Sequence, residues 1–247
     1  MNTYEINPIG ILHSPFKEKF GIPRQAGLIH SAYGRIEFYP PYNDTNAFKG
    51  LDNFSHIWLT FGFHQNNIDK WRPLIRPPRL GGNEKIGVFA SRSSFRPNGL
   101  GISVVKLLNV ETKKNITSLK IACPDILDGT PIFDIKPYIK YSDSINSAQC
   151  SYAQDMPATK LSVSFTPQCL VGLEQLKLEY GEDIEHLIIE TLSFDPRPAY
   201  HQAQSNHEKE YGIRLYDLNI RWRATLDRAE IVSINKIADN ITPKMDQ

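Results

Sequence analysis

Short runs in which apolar and polar residues alternate dominate the first half of the chain. Such runs predict β-strands when they are rich in β-branched and aromatic residues and bounded by Pro, Gly, Asn or Asp. Six strands are predicted, at residues 4–13, 34–39, 56–63, 86–91, 102–110 and 118–123. One helical turn is expected at 44–50, and no longer helix separates the strands. This order favours a closed barrel or a sandwich.

The apolar pattern changes after a polar stretch at residues 142–156. Apolar residues then recur at helical spacing, interrupted by Gly181, and a final pair of strands closes the pattern. The later elements are a strand, two helices and two strands, predicted at 161–165, 167–180, 182–194, 211–224 and 229–234. The sequence therefore predicts two domains, a β-rich one over residues 1–145 and a smaller α+β one over residues 146–247.

Composition places the chain among folded proteins. It has 247 residues, of which 40% are hydrophobic and 22% charged, so it can bury a sizeable core. The net charge of +1 excludes a molecule that binds polyanions over its whole surface. No apolar run is long enough to span a bilayer, so no membrane association is expected.

The cysteines indicate a reducing environment and no thiolate metal site. Cys123, Cys150 and Cys169 lie far apart and form no CxxC pair, which argues against zinc. An odd number of cysteines without a signal peptide favours the cytoplasm. We therefore expect a cytoplasmic protein without a bound metal.

The densest chemistry lies between Trp71 and Gly101. This segment contains five arginines, four prolines and five glycines. Each guanidinium offers a fixed fork of donors that matches a carboxylate or a phosphate, and Pro and Gly set the backbone of the loops that carry it. The arginines are Arg72, Arg76, Arg79, Arg92 and Arg96. The segment therefore predicts an anion-binding surface, with a solvated basic loop as the alternative.

Familiar cofactor signatures are absent. The chain has no P-loop, and Gly99-Leu100-Gly101 is followed by a strand-like run rather than by a helix, which argues against a doubly wound dinucleotide fold. Three short polar motifs could bind a small ligand instead, although each also suits an ordinary loop or turn. They are Pro23-Arg24-Gln25, His64-Gln65 and the turn Asp128-Gly129-Thr130-Pro131.

Two motifs in the second half carry charge on constrained backbone. Residues 195–200 place Asp195, Arg197 and Tyr200 on a loop with two prolines, which could equally be a helix stop. Arg221 and Arg223 alternate on a predicted strand, so both face the same side of the sheet. That arrangement suits a phosphate backbone, and it equally suits a solvated face paired with acids.

Taken together, seven motifs resemble the TrmO (TsaA-like) family. The likeness covers almost the whole chain, including the C-terminal part. The motifs are PRQ at 23–25, GLDNFSHIWL at 50–59, FHQ at 63–65, RPPRLGG at 76–82, GVFASRSSFRPNGLG at 87–101, DGTPIFDIKPY at 128–138 and DPRPAY at 195–200.

The resemblance implies a fold and an activity. The expected fold is mainly β, with a single-sheeted antiparallel β-barrel that binds the cofactor and a smaller α+β C-terminal domain. The expected enzyme is a homodimer that uses S-adenosyl-L-methionine to methylate N6 of N6-threonylcarbamoyladenosine in the anticodon loop of tRNA. The implied cofactor contacts are Pro23, Arg24, Gln25, His64, Gln65, Arg92, Leu100, Asp128, Gly129, Thr130 and Pro131.

The same resemblance directs the search for catalytic and tRNA-binding residues. A proton must leave N6 during methylation, and Asp195, Tyr200 and His64 are candidate acceptors, of which we assign Asp195 and Tyr200. The threonyl carboxylate suits bidentate pairing with arginine, and other arginines could hold phosphates. The expected tRNA-binding residues are Arg79, Arg96, Arg197, Arg221 and Arg223.

Two other functions remain open from the residues alone. A β-barrel with a basic loop and nearby aromatic residues could bind RNA without any cofactor. The protein could instead be a methyltransferase for a small metabolite, with the arginine loop binding the carboxylate of that metabolite.

Overall fold

The structure is a computed structural model that describes residues 2–66, 71–81, 84–114, 116–197 and 209–237. The chain divides into two compact units. The first contains Met1–Pro15 and Ile22–Ala158, and the second contains Phe16–Gly21 and Thr159–Gln247. The domain limits predicted from the sequence, 1–145 and 146–247, remain a prediction about which parts fold independently.

The described residues form twelve strands and three α-helices. The strands are β1 (Gly10–His13), β2 (Tyr33–Phe38), β3 (His56–Gly62), β4 (Leu74–Ile75), β5 (Ile86–Gly87), β6 (Leu100–Lys113), β7 (Ile116–Ala122), β8 (Thr130–Pro137), β9 (Ser162–Phe165), β10 (Glu210–Leu215), β11 (Leu218–Ala224) and β12 (Arg228–Lys236). The helices are α1 (Lys140–Asp143), α2 (Pro167–Tyr180) and α3 (Ile184–Ser193).

Six strands of the first unit close into a barrel. Their order around the barrel is β1-β2-β7-β6-β3-β8, and every neighbouring pair is antiparallel. Closure removes exposed sheet edges, which is the main liability of an all-β fold. The expected single-sheeted antiparallel barrel is thereby confirmed.

Alternation along the strands builds the core of the barrel. Leu12, Ile36, Ile57, Leu59 and Leu119 are fully buried inside it. Burial of one such side chain stabilises the fold by about 1.5–3 kcal/mol. Two short 3-10 helices between β2 and β3 add further apolar side chains to the same core. They span Thr45–Phe48 and Leu51–Asn53 and contribute Phe48 and Leu51.

Two residues of β6 that face the barrel interior, Gly101 and Ser103, have no apolar side chain. Gly101, Ser103, Val105 and Leu107 are its buried, inward-facing positions. A Cβ atom at Gly101 would lie 2.5 Å from the ring of Phe61, so glycine is needed there to make room for the ring. Ser103 places a hydroxyl inside the barrel near the same end, and its partner belongs to the site described below.

Parts of the first unit differ from the prediction. The run at 86–91 forms only the two-residue β5, which pairs with β4 outside the barrel, and continues as a 3-10 turn at Val88–Ala90. The strand predicted from residue 4 begins at Gly10. Strand β8 is not among the predicted strands, because its first residues belong to the turn motif Asp128–Pro131 and it contains two prolines, Pro131 and Pro137.

The second unit is the α+β part. Its sheet has the order β10-β11-β12-β9, in which β9 lies parallel to β12 and the other pairs are antiparallel. Helix α2 matches its predicted bounds, and Gly181 separates it from α3 with a positive φ of 94°. The expected closing pair of strands is instead three strands, since residues 211–224 turn back on themselves at Tyr216 and Asp217.

Candidate functional site

Three connections meet at one end of the barrel. Antiparallel pairing places the end of β1 beside the starts of β2 and β8, and the end of β3 beside the start of β6. The end of β7 lies beside the start of β2. The connections from β1 to β2, from β3 to β6 and from β7 to β8 therefore leave the barrel on the same side.

Every residue expected to contact the cofactor lies in these connections or at the start of a strand that they enter. The first connection carries Pro23, Arg24 and Gln25, and the second carries His64, Gln65 and Arg92. The third carries Asp128 and Gly129. Leu100 begins β6, while Thr130 and Pro131 begin β8. The fold thus collects motifs that are separated by up to about a hundred residues along the chain.

Hydrogen bonds fix the connection from β7 to β8 against β1. The backbone N–H of Ser14 donates to Oδ1 of Asp128 at 2.9 Å, and the hydroxyl of Ser14 donates to the carbonyl of Ile126 at 2.8 Å. The N–H of Gly129, which has a φ of 75°, donates to the carbonyl of Leu12 at 2.8 Å. Since side chain and backbone are both engaged, the turn is a rigid part of the barrel end.

A second set of bonds orients the ring of His64. Nδ1 of His64 lies 3.3 Å from Oγ1 of Thr130, whose hydroxyl lies 2.7 Å from the carbonyl of Leu127. A hydroxyl has one proton to give, and a carbonyl only accepts. The Thr130 hydroxyl therefore donates to Leu127 and accepts from Nδ1–H of His64. This assigns the Nδ1–H tautomer to the neutral ring and makes Nε2 its acceptor atom.

Asp125 is a site residue that the sequence did not reveal. Its carboxylate accepts a hydrogen bond from the buried hydroxyl of Ser103 at 2.5 Å. Burial raises the pKa of Asp125 above its ordinary value, while hydrogen bonding to Ser103 and to backbone groups and the positive charge of Arg92 act in the opposite direction. This bond links the connection from β7 to β8 with strand β6 inside the barrel.

The arginine segment is shaped by bonds from its own side chains. The hydroxyl of Ser91 donates to the carbonyl of Val88 at 2.8 Å, and Nη1 of Arg96 donates to the carbonyl of Ser91 at 3.1 Å. The guanidinium of Arg96 also lies 5.8 Å from the centre of the Phe89 ring. Arg96 therefore holds the loop together, and its expected contact with tRNA stays a prediction.

The same segment exposes aromatic and basic side chains together. Phe89 is 72% exposed, and Trp71 and Phe95 are exposed as well. Arg79 is also exposed, and its Nη2 donates to the carbonyl of Asp155 at 2.6 Å. A surface that combines exposed aromatic rings with arginines suits unpaired nucleic-acid bases and the phosphates between them.

In the second unit, Asp195 and Arg197 form a buried ion pair. Nε of Arg197 donates to Oδ1 of Asp195 at 2.7 Å, and Nη2 donates to Oδ2 at 2.9 Å. The side chains of Arg197 and Asp195 are only 1% and 2% exposed. Hydrogen bonding to Asp195 raises the pKa of Arg197, and the guanidinium also lies 5.7 Å from the centre of the Tyr211 ring.

This geometry gives the pair a stabilising role. Both carboxylate oxygens of Asp195 already accept bonds from Arg197, so proton acceptance by Asp195 would compete with the ion pair. The roles of Asp195 as a base and of Arg197 as an anion-binding residue stay predictions. Tyr200, the other expected catalytic residue, lies outside the described residues.

Arg221 and Arg223 share the exposed face of β11, as predicted from their alternation. Nη2 of Arg223 donates to Glu210 at 2.7 Å, and Nη1 of Arg221 lies 3.9 Å from the same carboxylate. On the neighbouring strand β12, Glu230 lies opposite Arg223. The structure therefore contains the acid pairing that the sequence left open, and tRNA binding by these arginines stays a prediction.

Two other observations concern the described part of the chain. Its side chains include no group of three or more His, Cys, Asp or Glu that could hold a metal ion. None of the helices described there has the length and apolar composition needed to cross a membrane.

The tautomer of His64 is testable by replacing Thr130 with Val, which keeps the side-chain shape but removes the hydroxyl. In the wild-type protein, ¹⁵N chemical shifts should report Nδ1–H for the neutral ring. In Thr130→Val the population should move toward Nε2–H, the form favoured in solution, because the acceptor at Nδ1 is lost. An Nε2–H ring in the wild type would contradict the assignment.

The buried ion pair predicts a large loss of stability in Arg197→Ala. Removal of the guanidinium leaves the Asp195 carboxylate buried without its counter-ion, so the free energy of unfolding should fall by about 3–5 kcal/mol. Arg223→Ala is the matched control, since its ion pair is exposed and should be worth less than about 1 kcal/mol. Denaturant unfolding measures both, and equal losses would show that the buried pair stabilises no more than the exposed one.

Comparisons with known proteins agree with the geometry of both units. Residues 11–144 match the family model of the tRNA-methyltransferase O N-terminal domain, and residues 158–237 match that of the TrmO C-terminal domain. The chain is 46% identical over 225 residues to a protein of Escherichia coli K12 named tRNA (adenine(37)-N6)-methyltransferase. That alignment covers 91% of this chain and 95% of the relative.

Two further likenesses come from Pseudomonas aeruginosa. A protein provisionally named an S-adenosylmethionine-dependent methyltransferase is 40% identical over 236 residues, which cover 96% of this chain and 98% of the relative. The crystal structure of TrmO from that organism superimposes with a TM-score of 0.79 at 33% identity, covering 95% of this chain and 99% of the other. The chain belongs to the TrmO family.

Proposed function

We propose that this protein is an S-adenosyl-L-methionine-dependent tRNA methyltransferase acting on N6 of N6-threonylcarbamoyladenosine beside the anticodon. The observation that carries the proposal is the convergence of the three motif-bearing connections at one end of a closed barrel. The name of the Escherichia coli relative supports a tRNA adenine as the target, and the first Pseudomonas relative supports the methyl donor. The proposal that the target adenosine carries a threonylcarbamoyl group is more specific than these names, and it is tested separately below.

The chemistry of the barrel end fits the proposed cofactor. S-adenosyl-L-methionine offers an ammonium, a carboxylate, ribose hydroxyls and an adenine edge for recognition. The connections carry the carboxylate of Asp128, the ring of His64 and the guanidinium of Arg92. These are complementary donors and acceptors. The residues proposed to hold the cofactor are Pro23, Arg24, Gln25, His64, Gln65, Arg92, Leu100, Asp128, Gly129, Thr130 and Pro131.

When bound, the cofactor supplies a methyl group already activated on a sulfonium, so the protein mainly has to position the reactants. The lone pair of N6 is delocalised into the purine ring and the carbamoyl group, and N6 must lose a proton when it is methylated. Among the candidate acceptors, Asp195 is held in its ion pair, whereas Nε2 of His64 is the acceptor atom of a ring oriented by Thr130. We therefore place His64 ahead of Asp195 for this step.

The arginine segment supplies the proposed tRNA surface. The anticodon loop presents phosphates and unstacked bases, and the target base carries a carboxylate on its threonyl group. Exposed Phe89 and Phe95 can stack on bases, and neighbouring arginines can pair with the carboxylate and the phosphates. The protein is also proposed to act in the cytoplasm as a homodimer.

The substrate is tested with two pools of tRNA. One pool comes from normal cells and the other from cells unable to make threonylcarbamoyladenosine. Incubation with S-adenosyl-L-methionine followed by mass spectrometry of the nucleosides should show methylation only in the first pool. Methylation of both pools would contradict the requirement for the threonylcarbamoyl group, and methylation of neither would contradict the proposed enzyme.

A matched control separates an inactive preparation from a wrong substrate. The second pool is treated with the threonylcarbamoylation enzymes before the assay, which restores the modified base without changing the tRNA sequence. Methylation should then appear in that pool, since the acceptor group is the only difference.

A further inference from the structure

The inward-facing row of β3 ends in an aromatic ring at the mouth of the barrel. Side chains alternate along a strand, so Ile57, Leu59 and Phe61 face the interior, and all three are buried. Phe63 follows two residues beyond Phe61, just past the end of the strand. Its side chain packs against the same core, although it is only half-buried. The barrel core therefore reaches the surface at this end as an aromatic ring.

The Phe63 ring is held in a defined place. Its centre lies 5.2 Å from the centre of the Phe61 ring, and the two ring planes meet at 78°. A Cβ atom at Gly101 of β6 would lie 2.9 Å from Cζ of Phe63, so glycine is needed there to make room for this ring as well. The ring thus reaches from β3 toward β6, with Phe61 on its core side.

The backbone of Phe63 is fixed together with its ring. The N–H of Phe63 donates to the carbonyl of Gly99 at 2.7 Å, which joins the end of β3 to the start of β6. This bond places Phe63 among the proposed cofactor contacts, because His64 and Gln65 follow it directly and Leu100 follows Gly99. The ring is therefore preorganised inside the site that the motifs define.

Phe63 also differs in kind from the other side chains at the edge of the core. In the described part of the chain, five partly buried apolar side chains pack against the barrel core, and they are Ile9, Ala26, Phe63, Val110 and Ile135. Phe63 is the aromatic one among these five. Ala26 and Phe63 lie in the connections at the site end, so the apolar surface available there is small and mainly aromatic.

A purine requires such a surface in addition to polar partners. Small-ligand sites are lined mostly by apolar and aromatic side chains, with a few polar groups that fix orientation. S-adenosyl-L-methionine carries an adenine ring, and every base has a face that packs favourably on an aromatic side chain. The polar groups proposed at this end include Asp128, His64 and Arg92. Phe63 supplies the aromatic surface that these groups lack.

We propose that Phe63 is a binding residue for the methyl donor and that its ring packs against the adenine of that donor. The inference rests on the proposed function, since an adenine ring reaches Phe63 only if the barrel end binds the donor. Phe89 and Phe95 are more exposed and belong to the arginine segment, so they remain the proposed partners of tRNA bases.

The first experiment is calorimetric titration of S-adenosyl-L-methionine into the wild type and Phe63→Leu. Leucine keeps an apolar side chain against the core but has no aromatic face. Phe63→Leu should weaken binding by about tenfold, the size expected for the loss of one contact between a base and an aromatic ring.

The matched control is Phe54→Leu. Phe54 is 39% exposed and precedes the start of β3, so the same substitution is made at the opposite end of the barrel. This variant should bind the methyl donor as tightly as the wild type does. The Tm of both variants is measured as well, so that weaker binding is separated from a loss of folded protein.

A second experiment requires no variant. In the complex of the wild type with S-adenosyl-L-methionine, nuclear Overhauser effects should connect H2 or H8 of the adenine with the ring protons of Phe63, because packed rings bring these protons close together. If Phe63→Leu does not fold, this measurement decides the inference by itself.

The outcomes separate the inference from the proposed function. A wild-type protein that binds no S-adenosyl-L-methionine overturns the proposed function together with the inference. A wild type that binds while Phe63→Leu binds equally well overturns the inference alone. An equal loss of affinity in Phe54→Leu, or a bound adenine without Overhauser effects to Phe63, would likewise overturn it.

Discussion

The closure of six antiparallel strands into one barrel is the constraint on which the rest of the structure depends. Each strand must reverse direction, so alternate connections leave the barrel at opposite ends. At one end, short 3-10 helices bring Phe48 and Leu51 into the core. At the other end, three connections approach one another without any glycine-rich nucleotide motif. A cofactor site can therefore be built from turns, because the barrel wall determines where each turn begins and ends.

Hydrogen bonds between residues that are distant in the sequence hold the turns in place. Ser14 ties the Asp128 turn to β1, Thr130 orients His64, and Ser103 anchors Asp125. Such bonds limit the conformational entropy that a ligand would otherwise have to remove on binding. The arginine segment is organised in the same manner by Ser91 and Arg96. The barrel end is thus a preorganised surface with both charge signs available.

Local sequence patterns predicted much of this architecture. The alternation in β2, β3 and β7 and the helical spacing of α2 and α3 arise from burial of one face, so they are visible in the sequence. Strand β8 was not predicted from the sequence because Pro131 and Pro137 argue against a strand. They are tolerated at its two ends, where Pro131 lies opposite Ile11 and Pro137 lies opposite Ile57. The turn at Tyr216 carries no Gly or Pro, so nothing local separates β10 from β11.

The parts of the candidate site that lie in sequence motifs were predictable. The part that depends on which strands pair was not. The motifs at 23–25, 64–65 and 128–131 are recognisable as sequence, and the fold brings their connections to one end of the barrel. Asp125 has no distinctive neighbours in sequence, and only its long-range relation to Ser103 marks it. Conversely, Asp195 and Arg197 attract notice as a charged motif, although their partner in the structure is each other.

Hydrogen–deuterium exchange with and without S-adenosylhomocysteine tests the central claim most directly. The account predicts slower exchange in the connections at the site end, within residues 22–32, 63–66, 91–100 and 123–131, and no change at 45–53 at the opposite end. Protection confined to 45–53, or to the second unit, would contradict a methyl-donor site at the barrel end.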